Sequence, residues 1–328
     1  MKMSIRLISL SALFIAGAIP GIASTTVSSP TSGAEVVSPF NLSVSATTCS
    51  GQTVNTLGYS LDSGGDTVVQ GSSMNVSVDS APGLHTVHVK AWGNGGVECD
   101  TDLGIAVTPS NAAVVSNIQR MNGWVWQQRN DPADGGTSTG STTFTNYGYT
   151  RQFHTTYTNW GAELYFVSFG SDTAPTNFMY DAWVYVQSNV TNVDNLEMDM
   201  NQVVKNGQTV IYGFQCDGNS GTWDYATNSG TPQNPVDQWV HSSQPCNVDQ
   251  WSVGVWHHVQ VSYSRDDSGN VTYNAVALDG QVQNINATVP SSFALGWTST
   301  LITNFEIDGR GSSGASDIYL NDLAIYRW

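Results

Sequence analysis

The sequence predicts an all-β protein of two unequal sandwiches, and three observations carry that expectation. Short runs of alternating apolar and polar residues recur between turn signals along the whole chain. Charged residues are only 11%, while glycine is frequent and there are 11 Trp and 13 Tyr. No stretch shows a sustained helical period.

The first 24 residues are set apart from the fold. Met1-Lys2-Met3-Ser4-Ile5-Arg6 is a basic start, Leu7 to Ile19 is apolar, and Gly21-Ile22-Ala23-Ser24 offers small residues for cleavage. That is the pattern of a secretory signal peptide, too short and wrongly flanked for a membrane anchor. The expected location is therefore secreted and extracellular, with the periplasm as the alternative, and no membrane insertion is expected. Ten basic against 26 acidic residues give a net charge of −16; loss of Lys2 and Arg6 takes it to −18. Such a surface repels nucleic acid and anionic membranes. It also disfavours polyanionic glycans, which leaves neutral polysaccharide as the expected partner. Four cysteines in an exported chain read as two disulfides. Three connectivities exist; Cys49–Cys99 and Cys216–Cys246 keep each bridge within one expected domain.

The first domain is expected over residues 25–108. Phe40-Asn41-Leu42-Ser43-Val44-Ser45-Ala46 and His85-Thr86-Val87-His88-Val89-Lys90-Ala91 alternate as half-buried strands do. Turns fall at Ser63-Gly64-Gly65-Asp66, Ala81-Pro82-Gly83 and Gly93-Asn94-Gly95-Gly96. Residues 109–118 read as a linker or lead-in strand, and a larger unit follows over 119–328. Its expected strands are Ala162–Phe169, Phe178–Gln187, Asn195–Gln202, Val210–Gln215, Trp256–Ser264, Asn270–Leu278, Leu301–Ile307 and Ile318–Trp328. The Gly/Ser/Thr-rich run from Asp134 to Thr143 reads as a loop, as does the segment from Asp217 to Cys246.

Two resemblances sharpen this picture. Ser29-Pro30-Thr31-Ser32-Gly33-Ala34, Leu57-Gly58-Tyr59-Ser60-Leu61-Asp62 and Gly83-Leu84-His85-Thr86-Val87-His88-Val89 make residues 25–108 resemble a bacterial immunoglobulin-like (Ig-like) domain, which implies a spacer or adhesive module. Trp256-His257-His258-Val259-Gln260-Val261-Ser262-Tyr263, Gly269-Asn270-Val271-Thr272-Tyr273, Leu278-Asp279-Gly280 and the ending Ile318-Tyr319-Leu320-Asn321-Asp322-Leu323-Ala324-Ile325-Tyr326 resemble the concanavalin A-like lectin/glucanase jelly roll. That fold hosts lectins, hydrolases, lyases and passive modules alike.

The functional signal lies in Leu196-Glu197-Met198-Asp199-Met200-Asn201-Gln202. On a strand, Leu196, Met198 and Met200 share one face, and Glu197, Asp199 and Asn201 the other. Two carboxylates about 7 Å apart on one face repel, so the row is costly without a use. The background is also poor in glutamate: beyond residue 100 only Glu163, Glu197 and Glu306 occur. The row resembles the Glu-x-Asp-x-Glu or Glu-x-Asp-x-x-Glu strand of glycoside hydrolase family 16-type enzymes. The resemblance implies a nucleophile at Glu197 and a tuning role for Asp199. The third acid is replaced by Asn201 or Gln202, and an amide cannot shuttle the proton.

Three readings follow. The row binds sugar, with Gln202, Gln215 and the aromatics Trp223, Tyr225 and Trp239 of the disulfide-tethered segment beside it. Or Glu197 acts catalytically with Glu306, from Asn304-Phe305-Glu306-Ile307-Asp308, as its partner. Or the site is a lyase using residue types such as Gln202, Gln215, Arg151, His154 and Tyr263. Against all three stands a strand whose acids merely face solvent. The Asn206-Gly207 turn favours a hairpin that would pair the Gln215 strand with the Glu197 strand. Trp124, Trp126 and His241 are open between core and cleft, and His257 and His258 read as structural. The jelly-roll resemblance implies a structural Ca2+ on the convex side, for which Asp131, Asp134, Asp317 and Asp322 are the nearby acids. No EF-hand spacing supports it, and no metal ligand set is legible.

Overall fold

The computed structural model describes residues 25–129, 135–145, 148–187, 190–298 and 300–328. The proposed signal segment, and with it Asp131 and Asp134, lies outside the described residues. The described chain is all-β; its helical content is two single 3-10 turns, Ile118–Arg120 and Val248–Gln250. No helix among the described residues is long and apolar enough to cross a membrane.

The N-terminal unit is a β-sandwich. One sheet joins Thr25–Ser29, Phe40–Ala46 and Ser73–Val78; the other is built around Gln52–Leu61, Gly83–Gly93 and Glu98–Thr108. Period-2 patterning fills its core. Phe40, Leu42, Val44 and Ala46 from one sheet meet Val87, Val89 and Ala91 from the other, while Asn41 and Ser45 face out. Cys49 and Cys99 form a disulfide with 5.8 Å between Cα atoms.

The larger unit is a second sandwich. Its first sheet runs, in spatial order, Thr137–Thr145, Thr150–Thr158, Gly314–Arg327, Asn177–Val186, Trp256–Arg265, Asn270–Leu278 and Gln281–Pro290. Ala113–Val115 adds to it by pairing with Gly314–Arg327, so the lead-in segment is a strand of this unit. The second sheet runs Val125–Gln128, Ala162–Gly170, Leu301–Gly309, Val193–Val203, Phe214–Asp217, Thr222–Asn228 and Asp237–Pro245. Between the sheets, Leu196, Met198, Met200, Phe305 and Ile307 pack against Phe178, Tyr180, Val184, Val261 and Ile318, all essentially without solvent contact.

Two segments expected to be loops are strands. Thr137–Thr145 pairs residue for residue with Thr150–Thr158 as an edge strand. Its Ser and Thr hydroxyls link across strands, Thr139 to Thr156 and Thr137 to Thr158 at 2.6 Å each. It carries almost no apolar residue, so no alternation announced it. The Asp217–Cys246 segment is likewise a hairpin of Thr222–Asn228 and Asp237–Pro245. The Cys216–Cys246 disulfide closes it, with 5.3 Å between Cα atoms.

The two sandwiches touch through a small apolar seam. Leu84 and Ala106 of the first pack against Met179, Ala275 and Ala277 of the second. The Gly104 N–H donates to the Gly280 carbonyl at 2.8 Å, and the Gln260 amide donates to the Gly33 carbonyl at 3.2 Å. A Cβ at Gly104 would run into the Gly280 carbonyl. Gly104→Ala is therefore expected to separate the units without unfolding either. Small-angle scattering should show a larger radius of gyration, and proteolysis should gain a site near 109–112; an unchanged profile would contradict the rigid seam.

Candidate functional site

The Glu197 strand, Val193–Val203, explains itself by its period. Leu196, Met198 and Met200 are fully buried between the sheets. Glu197, Asp199 and Asn201 point to the sheet's other face, yet are only 7%, 6% and 2% exposed. They are not on open surface: they form the floor of a cleft of about 1570 Å³ on that face. Acids that merely face solvent are therefore excluded.

Register brings distant residues into one line. Leu164, Glu306, Glu197, Gln215, Asp224 and His241 are successive cross-strand partners over six neighbouring strands. A parallel row on one side holds Asn304 and Asp199, and on the other Asp308, Asn195 and Asp217. The pairing of the Gln215 and Glu197 strands expected from the Asn206-Gly207 turn is present, and it puts Gln215 directly beside Glu197. Gly213 interrupts the returning strand where a Cβ would come within 2.6 Å of the Ala226 methyl and 3.4 Å of the Trp239 ring. Just beyond it, the Phe214 N–H donates to Asp199 Oδ1 at 2.9 Å.

Glu197 and Glu306 are directly opposed partners on adjacent strands. With Asp308 they place carboxylate oxygens within 4.8 Å of one another. Burial, and then the neighbouring carboxylates, push Glu197 and Glu306 well above the ordinary range. Two carboxylates this close cannot both ionise cheaply, so the pair holds a proton that either can give. Burial raises Asp199 and Asp308 to about 7. Arg129, on the cleft rim, acts in the opposite sense on all four. Trp160, Trp239 and Trp297 also line the cleft, and Trp160 and Trp297 are more than 40% exposed.

Several expected site residues lie elsewhere. Gln202 follows the inward period and is fully buried between the sheets. It donates to the Asp172 and Pro175 carbonyls at 3.1 Å and accepts from Arg265 at 2.8 Å and Tyr212 at 3.1 Å. It holds a loop and does not line the cleft. Trp223 is also inward, with no solvent contact, stacked on Phe214 at 5.2 Å. Its neighbour Tyr225, 5.1 Å from Tyr273, packs against the same core. Trp124 is core, edge-on to Phe153, while Trp126 is exposed. Thus Glu197, Asp199, Asn201, Glu306 and Trp239 line one cleft with Gln215 in line with its floor; Gln202 and Trp223 do not.

The lyase set is not assembled. Arg151 is buried, donating to the Gln119 and Met121 carbonyls. Tyr263 is in the core, and His154 pairs with Asp317 at 2.8 Å on the other sheet. His257 and His258 also belong to that sheet, bonded to Asp279 and Asp181. Among the described residues, groups with metal-ligand proximity are Glu197/Glu306/Asp308 and Asp217/Asp224/His241. Neither contains Asp317 or Asp322. In the second group, Asp217 Oδ1 already accepts from the Asn219 and Ser220 N–H groups, and Asp224 accepts from Thr222, Ser220 and His241. Carboxylates committed to donors with a single imidazole do not suit Ca2+, which takes six to eight oxygens.

Residues that the local pattern did not single out are Arg129, Trp160, Trp297, Asn304 and Asp308. Asn304 and Asp308 share the period of Glu306 and could have been read with it. The others come from loops or a distant strand.

No protein-family model matches the chain, and no curated protein matches it. Among solved structures it is similar to a carbohydrate-binding module of the β-sandwich superfamily: 12% identity, 92% of this chain and 96% of that one covered, TM-score 0.32. It is also similar to the carbohydrate-binding module CBM66 from Bacillus subtilis, at 12% identity, 55% and 95% coverage and TM-score 0.30. A third is the carbohydrate recognition domain of Emp46p in metal-free form, at 7% identity, 59% and 87% coverage and TM-score 0.31. Likeness this distant carries no argument about the site, which rests on its own geometry.

Proposed function

We propose that the cleft binds polysaccharide as an extended chain. One observation carries this reading: a floor of buried hydrogen-bonding groups, Glu197, Asp199 and Asn201, left facing the cleft between exposed indoles. The Asn201 side-chain oxygen has no protein partner although the residue is 2% exposed. A buried acceptor without a donor costs about 1–3 kcal/mol, which a sugar hydroxyl would recover. Indole faces offer apolar area to pyranose rings. At about 1570 Å³ the cleft exceeds the roughly 300–1,000 Å³ of ordinary small-molecule pockets. The acidic net charge disfavours polyanionic glycans. On this reading the N-terminal sandwich is an Ig-like spacer, the second sandwich is concanavalin A-like, and the protein works outside the cell.

A second reading, hydrolysis, is favoured by the Glu197–Glu306 pair. The acid missing from the Glu197 strand is supplied by its neighbour. Opposed residues on adjacent strands have Cβ atoms about 4.5–5.5 Å apart, compatible with the roughly 5 Å carboxyl spacing of retaining glycosidases. Glu306 would protonate the glycosidic oxygen as Glu197 attacks the anomeric carbon. Water would then displace Glu197 and return its proton to Glu306.

A glycan panel scored for binding and for reducing-end release tests both. Binding without release in the wild type makes the protein a binding module. Release that falls about 10²–10⁴-fold in Glu306→Gln, with binding retained, makes it a hydrolase. No binding to any glycan would sink the proposal.

A further inference from the structure

The cleft floor is acidic, and two of its side-chain oxygens, Asp308 Oδ1 and Asn201 Oδ1, lack donors. Six carboxyls line it: Asp194, Glu197, Asp199, Asp237, Glu306 and Asp308. Among the described residues lining it, Arg129 is the one cation. Asp194 is met by Arg310 at 2.9 Å, and Asp199 by the Phe214 N–H. The rest of the floor is less well served. Asp308 Oδ1 has no partner, and its Oδ2 is reached by the Asn195 amide at 3.3 Å. The alternative orientation of that amide donates instead to the Asp194 carbonyl at 3.0 Å and to Asp217 at 2.9 Å, which leaves Asp308 without that donor. Glu197 and Glu306 have each other.

An uncharged group independently reports the same shortage. Asn201 is 98% buried by its 2% exposure, lines the cleft, and keeps an unpartnered side-chain oxygen. It lies about 13 Å along the strand from Glu197, so separate sugar units can reach each. Both unpartnered oxygens are acceptors, so a ligand meets them with donors. A sugar hydroxyl brings one donor and two acceptor lone pairs, and against a carboxylate pair it brings no charge. An ammonium group brings three donors, no acceptor and the missing positive charge.

Resting on the polysaccharide-binding reading, we propose that the ligand is a polymer of amino sugar with free amines, a glucosamine-type polycation. Its ammonium groups sit over the Glu197–Glu306–Asp308 cluster, and a neighbouring unit donates to Asn201. Neutral glycan, the partner expected from net charge alone, leaves the cluster's charge unanswered. In the free protein the cluster answers that charge by holding protons, and an arriving ammonium would displace them. Asp194 and Asp199 face the same cluster from Glu197's own strand and Asp217 from the next one, and Arg129 opposes them from the rim.

The test is calorimetric titration of the full chain with β-linked oligomers of equal length built from glucosamine, N-acetylglucosamine or glucose, near pH 6. The glucosamine oligomer is expected to bind about tenfold tighter than either other oligomer. That preference should largely persist at high salt, because Glu197 and Glu306 are buried and buried charge is screened little. It should shrink to within about threefold in Asp308→Asn and in Glu306→Gln, with folding of each checked by circular dichroism. Equal or tighter binding of the acetylated or glucose oligomer would overturn the inference and leave saccharide binding standing. Oligolysine binding as tightly as the glucosamine oligomer would overturn it too, as generic attraction of a polycation. Failure of every oligomer would instead remove the polysaccharide reading beneath it.

Discussion

Asp199→Asn should make the protein more stable at pH 8 and leave it unchanged at pH 4. Asp199 is 6% exposed, and burial raises its carboxyl from 3.8 to about 7. A native acid with a raised value binds its proton more tightly folded than unfolded. Its fold is therefore most stable below the unfolded value near 3.9, and loses stability as pH rises towards about 7. The shift of about three units corresponds to something on the order of 4 kcal/mol forfeited at pH 8. The amide oxygen of Asn can still accept the Phe214 N–H, so the substitution removes the charge and keeps the bond. With about 2–4 °C per kcal/mol in a domain of this size, the midpoint should rise by roughly 8–16 °C at pH 8. Thermal scans of both proteins from pH 4 to 8 check this. The wild type should lose stability with rising pH, and the variant should lose less. A variant equally or less stable at pH 8 would show that Asp199 is not held against its own burial. Natural sequences place such cost where a ligand recovers it.

Trp223→Ala should be the most damaging single truncation in the second sheet. The ring is fully buried, stacked on Phe214 with planes 14° apart and 6.5 Å from Trp251. Its strand partner is Cys216, half of the disulfide that closes the hairpin over the cleft. Removing a buried Trp leaves a cavity and costs about 3–5 kcal/mol. Chemical denaturation should show that loss in the larger unit's transition. Trp239→Ala, on the opposite strand and only half-buried, should cost little stability and weaken glycan binding instead. If the two variants exchanged phenotypes, the placement of these rings would be wrong.

The pair Trp223 and Trp239 also shows what the sequence could and could not say. Both sit in one aromatic-rich segment, and no local pattern separates core from cleft there. The distinction follows from register: Trp223 opposes Cys216, which continues the inward face of Phe214. The Glu197 strand was legible because its apolar residues alternate without a fault from Leu196 to Met200. The same alternation, carried two residues further, turns Gln202 inward. Glu306 was legible as a lone glutamate on an alternating strand. Its opposition to Glu197 was not, because which strands become neighbours depends on long-range sheet assembly. Arg129, Trp160 and Trp297 were invisible for the same reason. Thr137–Thr145 is an edge strand held by hydroxyls, with too little apolar content to announce itself.

The most direct test of the cleft as the binding site uses the exposed tryptophans as reporters. Trp160 and Trp297 stand in the cleft, whereas Trp183 and Trp256, each 37% exposed, stand on the other sheet. Hydroxyl-radical labelling, read by mass spectrometry with and without the best-binding oligosaccharide, compares the four rings in one experiment. Labelling should fall at Trp160 and Trp297 and hold at Trp183 and Trp256. Protection of Trp183 and Trp256, with the cleft rings labelled as before, would contradict binding in the cleft.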